Sequence, residues 1–186
     1  MYLEEVYEGI ATKVVLVDYA QGYRTGEFDC GLSDYNDFLC NDAPYYIQQN
    51  IVQIKLLVNK RNADVIAYMA LCSDSFLLDA KERESEGLDI PFNSVPALKI
   101  GQMSVSRKYR DKPYGSFMLF LALGYMERLN DMGVGCRFLV VDADVERDPG
   151  VSRFYERNGF VFNERVNKTR SKSKSMRYDL IQDKDI

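Results

Sequence analysis

Histidine is missing from all 186 residues of the chain. Its absence excludes a Ser-His-Asp or Cys-His nucleophile system within one chain, and with it His-ligated zinc and haem. Cysteine is scarce, at Cys30, Cys40, Cys72 and Cys136, and no two of these have the spacing of a metal knuckle. No metal is expected. Low cysteine density without an export signal points to free thiols in a reducing cytoplasm. Long apolar runs are lacking too: Phe117 to Met126 is about half of the roughly 20 residues a membrane span needs. The first residues carry Glu4, Glu5 and Glu8, the wrong sign for a signal-peptide n-region. No internal repeat or long Pro/Gly/Ser linker divides the chain. The expectation is a cytoplasmic protein without membrane contact, with one domain over residues 1–186.

What is present is a globular composition, 46% apolar with 10 Phe and 13 Tyr, too aromatic for a solvated coil. Val14 to Val17 reads as a strand. Ser33 is placed to cap a helix carrying Tyr35, Phe38 and Leu39 on one face, which Pro44 ends or kinks. Ile51 to Val58 and Val65 to Cys72 read as a β-hairpin around the turn Asn59 to Asp64. Ser73 to Ile90 holds Asp74, Asp79, Glu82, Glu84, Glu86 and Asp89 against Lys81 and Arg83, an excess equal to the net charge of −4 of the chain. It reads as a solvated acidic insertion between strands, of a length that also suits the wall of an active site.

The α/β signal sharpens beyond it. Leu98 to Val105 is a strand, Arg110 to Gly115 a turn, and Ser116 to Asn130 a helix. That helix is apolar all round, so it needs cover on more than one side, from the sheet or from a second copy in a homodimer. Phe138 to Val141 is a strand, and Pro149 suits the first turn of a helix that runs to Asn158 and ends at Gly159. Phe160 to Phe162 and Met176 to Ile181 are the closing strands. This order implies a mixed sheet with helices packed on it.

The strand–turn–helix around Arg110-Asp-Lys-Pro-Tyr-Gly115 is the most informative stretch. Unpaired N–H groups and the dipole at a helix start make an anion site suited to a pyrophosphate. Gly115 lets the main chain approach closely, and Arg110 and Lys112 add positive charge. Gly-x-x-x-x-Gly-Lys-Ser/Thr is absent. Gly133-Val134-Gly135 has Phe138 in the third glycine slot and follows a helix, so it does not make a dinucleotide fingerprint.

The turn resembles motif A of the GNAT superfamily of N-acetyltransferases, Arg/Gln-x-x-Gly-x-Gly/Ala, with Arg110 and Gly115 in the outer slots and Pro113 in place of the middle glycine. Phe154-Tyr155-Glu-Arg-Asn-Gly-Phe160 is similar to the Phe-Tyr-x-x-x-Gly-Phe of motif B. The order and spacing of the two also match. Phe28-Asp-Cys-Gly31, the Phe38-Leu39 helix, and Ile90-Pro91…Leu98…Gly101-x-Met103-x-Val105 resemble a GNAT branch that includes toxins acetylating aminoacyl-tRNA. The resemblance implies a GNAT-type α/β (α+β) fold: a mixed, mostly antiparallel central sheet with helices on both faces.

It also implies acetyl-coenzyme A as cosubstrate and a primary amine as acceptor. Met103, Ser104 and Val105 would polarise the thioester carbonyl with main-chain N–H groups, and Arg110, Asp111, Lys112, Pro113, Tyr114, Gly115 and Ser116 would hold the coenzyme. Pro113 costs one N–H donor. Tyr155 would be the general acid that protonates the departing thiolate; a phenol of pKa ≈ 10 keeps its proton at neutral pH. Without the motif, Tyr155 reads as an aromatic packing on the sheet. The base is open: Asp142, Asp144 and Glu146 are candidates, and Ser104 is a weaker one for orienting a water. Lys168, Arg170, Lys172, Lys174 and Arg177 form a basic run, either solvated or tracking tRNA phosphates. Toxins of that branch usually partner an antitoxin. A coenzyme-binding module without catalysis is the reading from another class, and Pro113 is the residue that supports it.

Overall fold

The computed structural model describes residues 2–164 and 172–181. Helix α1 (Tyr2–Ala11) precedes β1 (Val14–Asp18), and α2 (Ser33–Asp37) and α3 (Ala43–Gln48) precede the strands β2 (Gln53–Asn59) and β3 (Val65–Leu77). Then come α4 (Ala80–Ser85), β4 (Ser94–Val105), α5 (Tyr114–Asp131), β5 (Phe138–Ala143), α6 (Val151–Arg157), β6 (Val161–Phe162) and β7 (Lys174–Asp179). The strand order is β1-β2-β3-β4-β5-β7-β6. The β1–β2, β2–β3, β5–β7 and β6–β7 ladders are antiparallel, and β4–β5 is parallel. The mixed, mostly antiparallel sheet implied by the resemblance is therefore present.

The chain divides into two compact units: residues up to Cys72 with Gly101–Leu121, and Ser73–Ile100 with residues from Ala122 onward. In the first, the hairpin forms as the period-two pattern requires. Its turn is closed by side chains, since Asn59 Oδ1 accepts the Arg61 N–H and Asn62 Oδ1 accepts the Asp64 N–H, while Ala63 sits at φ +59°. Val65 to Leu71 are all buried, so this half of β3 carries a continuous apolar run rather than an alternation. Phe28, Phe38, Leu39, Leu56 and Tyr68 gather in one core, with the Phe28 ring edge-on to Tyr68 at 5.3 Å. The core of the second unit is built on Phe76, Leu78, Val95, Ala97, Phe138 and Val140.

Several local expectations are corrected. Ser33 is the first helical residue of α2, and the cap position is Leu32. Pro44 stands in the first turn of α3, where its missing N–H removes nothing; the interruption of the α-helical pattern falls earlier, in the π-turn Phe38–Asp42. Pro149 lies ahead of α6, whose cap is Gly150. The segment Ser73 to Ile90 is exposed at many positions and partly helical, as a mostly solvated insertion would be, but it is also anchored. Ser73 to Leu77 continue β3, α4 is closed by a capping box between Asp79 and Glu82, and Glu82 is buried. The apolar helix begins at Tyr114. Its Phe117 and Phe120 meet the Tyr7 ring of α1, at 5.4 and 5.2 Å; Phe117 is buried and Phe120 is exposed. No described helix is long and apolar enough to cross a membrane.

Candidate active site

The β4–β5 ladder runs from Ala97↔Phe138 to Ile100↔Val141, while β4 continues to Val105. Met103, Ser104 and Val105 thus lie on β4 beyond that ladder. The strand ends where the Ser106 N–H bonds the Ile66 carbonyl at 2.8 Å. A 3₁₀ turn, Arg107–Tyr109, follows, and Arg110 to Pro113 lead into α5, all exposed.

The donors at this turn are settled by the backbone. Pro113 has none. The Tyr114 N–H is bonded to the Lys112 carbonyl at 2.8 Å, and the Phe117 N–H to the Pro113 carbonyl at 3.0 Å. Gly115 and Ser116 stand between them in the first helical turn, where a helix offers its N–H groups no acceptor of its own. The pair at Gly115 and Ser116 sits on the positive end of an 18-residue helix. Tyr114 is turned inward, its buried ring edge-on to Tyr109 at 6.2 Å; burial, followed by nearby Asp111 and Tyr109, raises its pKa. The Ser116 hydroxyl bonds the Tyr7 phenol, whose pKa burial raises. The Arg110 guanidinium donates to the Cys30 carbonyl at 2.6 Å.

In the second unit, Tyr155 lies on α6 and is 8% exposed. Its ring meets Phe154 at 5.1 Å and Phe160 at 5.3 Å, and Phe160 meets Tyr178 at 5.7 Å. The helix stops because Gly159 takes φ +83°. The Phe160 N–H then returns to the Tyr155 carbonyl at 3.1 Å. Each aromatic of the Phe-Tyr-x-x-x-Gly-Phe stretch thus has a ring partner in this unit.

The acids considered as bases are held by cations. Asp142 pairs with Lys99 at 2.7 Å, Asp144 with Arg147 at 2.8 Å and Glu146 with Lys172 at 3.2 Å. The basic run is corrected at Arg177, which is 4% exposed and bonded to Glu82, Glu86 and Asn163. It cannot track phosphates. Lys168 and Arg170 lie outside the described residues. Sequence reasoning missed two groups. Asp29 and Arg107 pair beside the entry to α5, although the Phe-Asp-Cys-Gly stretch marked the place. The Arg177–Glu82–Glu86 cluster had no local signal, because its partners are far apart in the chain.

No protein-family model and no curated protein matches the chain. Solved structures do. AtaTR bound with acetyl-coenzyme A is 19% identical with a TM-score of 0.71, over 91% of this chain and 95% of that one. AtaT complexed with acetyl-methionyl-tRNAfMet is 18% identical with a TM-score of 0.72, over 89% and 94%. A mutant AtaT toxin bound to the C-terminus of the antitoxin AtaR is 18% identical with a TM-score of 0.68, over 90% and 92%. Over about 90% of its length, the chain shares the fold of these structures.

Proposed function

We propose that the chain is an N-acetyltransferase that moves the acetyl group of acetyl-coenzyme A onto a primary amine, with the amino group of an aminoacyl-tRNA as the leading acceptor. The observation that carries this reading is the start of α5. Two main-chain donors at Gly115 and Ser116 stand on a helix dipole in the helix that follows β4, beside exposed Lys112, and this arrangement suits a diphosphate. The solved neighbours with acetyl-coenzyme A and with acetyl-methionyl-tRNAfMet support it.

In the reaction, the neutral amine attacks the thioester carbonyl. The carbonyl oxygen takes negative charge and is stabilised by N–H groups of Met103 to Val105, donors that are typically worth about 2.7–4 kcal/mol each. The C–S bond then breaks, and Tyr155 gives its phenolic proton to the departing thiolate. An aminoacyl ester has a weakly basic amine, so its proton passes to water without a strong base. That fits Asp142, Asp144 and Glu146, each of which is paired with a cation. An antitoxin is the corresponding protein partner, as in the AtaT–AtaR complex.

The test is an acetyl-donor assay on a panel of aminoacyl-tRNAs, polyamines, amino acids, aminoglycosides and peptide N-termini, run with wild type and Tyr155→Phe. Transfer to aminoacyl-tRNA, with kcat reduced about 10²–10⁴-fold in the variant and acetyl-coenzyme A affinity retained, is expected. Unchanged turnover in Tyr155→Phe would remove that residue's role. Tight coenzyme binding without transfer to any amine would replace the enzyme by a binding module.

A further inference from the structure

The entry to α5 is fastened to the Asp29–Gly31 loop of the same unit. The Arg107 N–H donates to the Asp29 carbonyl at 2.9 Å, and its guanidinium pairs with the Asp29 carboxylate. The Arg110 guanidinium donates to the next carbonyl, that of Cys30. The receiving loop is itself closed. Asp29 accepts the Gly31 N–H at 2.7 Å and the Asn36 amide at 3.1 Å, and Asn36 accepts the Cys30 N–H at 3.0 Å. Cys30 is 1% exposed. Gly31 takes φ +85°, and a Cβ there would lie 3.0 Å from Arg107 Cδ. Two arginines thus reach from the stretch before α5 into consecutive carbonyls of one rigid loop.

On the acetyl-coenzyme A reading, Arg110 would be assigned to the phosphates. We propose instead that Arg110 is a positioning residue: by holding the Cys30 carbonyl it fixes the main chain that presents the Gly115 and Ser116 N–H groups, and it makes no pair with the coenzyme. A hydrogen bond from a charged donor to a buried-loop carbonyl is a stronger constraint than a neutral one, and exposed phosphate contacts are left to Lys112.

Amide exchange in the coenzyme-free protein tests this apart from catalysis. Arg110→Gln is expected to speed exchange at Tyr114 and Phe117, the two amides bonded at the start of α5, about tenfold, the effect of one lost hydrogen bond, with the later turns of α5 unchanged. Lys112→Gln leaves both amides as in wild type. In the acetyl-donor assay, Arg110→Gln raises KM for acetyl-coenzyme A and keeps kcat, and the salt dependence of coenzyme A binding keeps its wild-type slope. Wild-type exchange in Arg110→Gln together with a flattened salt slope would make Arg110 a direct phosphate ligand and overturn the proposal. If Arg110→Gln does not fold, Arg110→Lys is read by the same exchange criterion. A wild-type protein that binds no coenzyme A would defeat the acetyltransferase reading alone, because the exchange arm uses no coenzyme.

Discussion

Gly159 lies so close to the ring of Tyr178 that a Cβ added to it would stand 2.9 Å from Cε2. The same glycine holds φ +83°, so two separate constraints exclude a side chain there. This is the physical content of the glycine in Phe-Tyr-x-x-x-Gly-Phe: it ends α6 and lets the chain fold the Phe160 ring between Tyr155 and Tyr178.

Gly159→Ala should therefore destabilise the protein by about 1–3 kcal/mol from backbone strain alone, with the Tyr178 contact adding to it. A lowered urea midpoint at unchanged m would show it. A midpoint equal to wild type would mean that the turn tolerates a Cβ.

Arg177 is the hub of the second unit's charges. It donates to Glu86 at 2.9 Å, Glu82 at 3.3 Å, Asn163 at 2.9 Å and the Phe162 carbonyl at 3.1 Å. Arg177→Met would leave buried Glu82 uncompensated, a change that typically costs about 3–5 kcal/mol. Equilibrium unfolding in urea measures it. A loss below about 1 kcal/mol, the size of an exposed pair, would show that these carboxylates reach water.

Asp29 gives a pH dependence. The Arg107 guanidinium, then the Gly31 N–H and the Asn36 amide, lower its pKa from 3.8 to about 2. A carboxylate whose folded value is depressed contributes stability above its unfolded value, and that contribution is lost as pH falls through the folded value. The stability difference between wild type and Asp29→Asn should be constant above pH 4 and shrink between pH 4 and 2. Thermal melts across that range check it; a difference that survives to pH 2 would contradict the assignment.

Pro113 offers a gain rather than a loss. Pro113→Gly restores an N–H at the middle slot of the turn. Acetyl-coenzyme A should bind more tightly, by up to about tenfold for one hydrogen bond to a charged group, less the entropy of ordering a glycine. Calorimetric titration reads it directly. Weaker binding would show that proline's fixed φ matters more to the turn than the missing donor does.

Local patterns in the sequence were sufficient for the hairpin β2–β3, for α5, for the break at Gly133 and for the closing strands. Each of these is written in the spacing of neighbouring residues. Pro44 misled because a proline marks a helix start as readily as an end, and which one applies depends on what its neighbours pack against; Pro149 marked a start, but α6 begins after it, at Val151. The acidic segment misled for a related reason. Glu82 and Glu86 read as solvated until Arg177, more than 90 residues away, is brought to them.

By itself, the sequence determined that no histidine chemistry is available and that a strand–turn–helix with a glycine at its helix start is present. It also supplied the aromatic stretch around Tyr155. Periodicity and backbone chemistry are local properties, so they survive without a fold. Only the tertiary structure decided which donors the turn retains, that Arg110 spends a hydrogen bond on Cys30, and that Arg177 is buried among carboxylates. Those outcomes depend on contacts between segments distant in the chain, which no local pattern records.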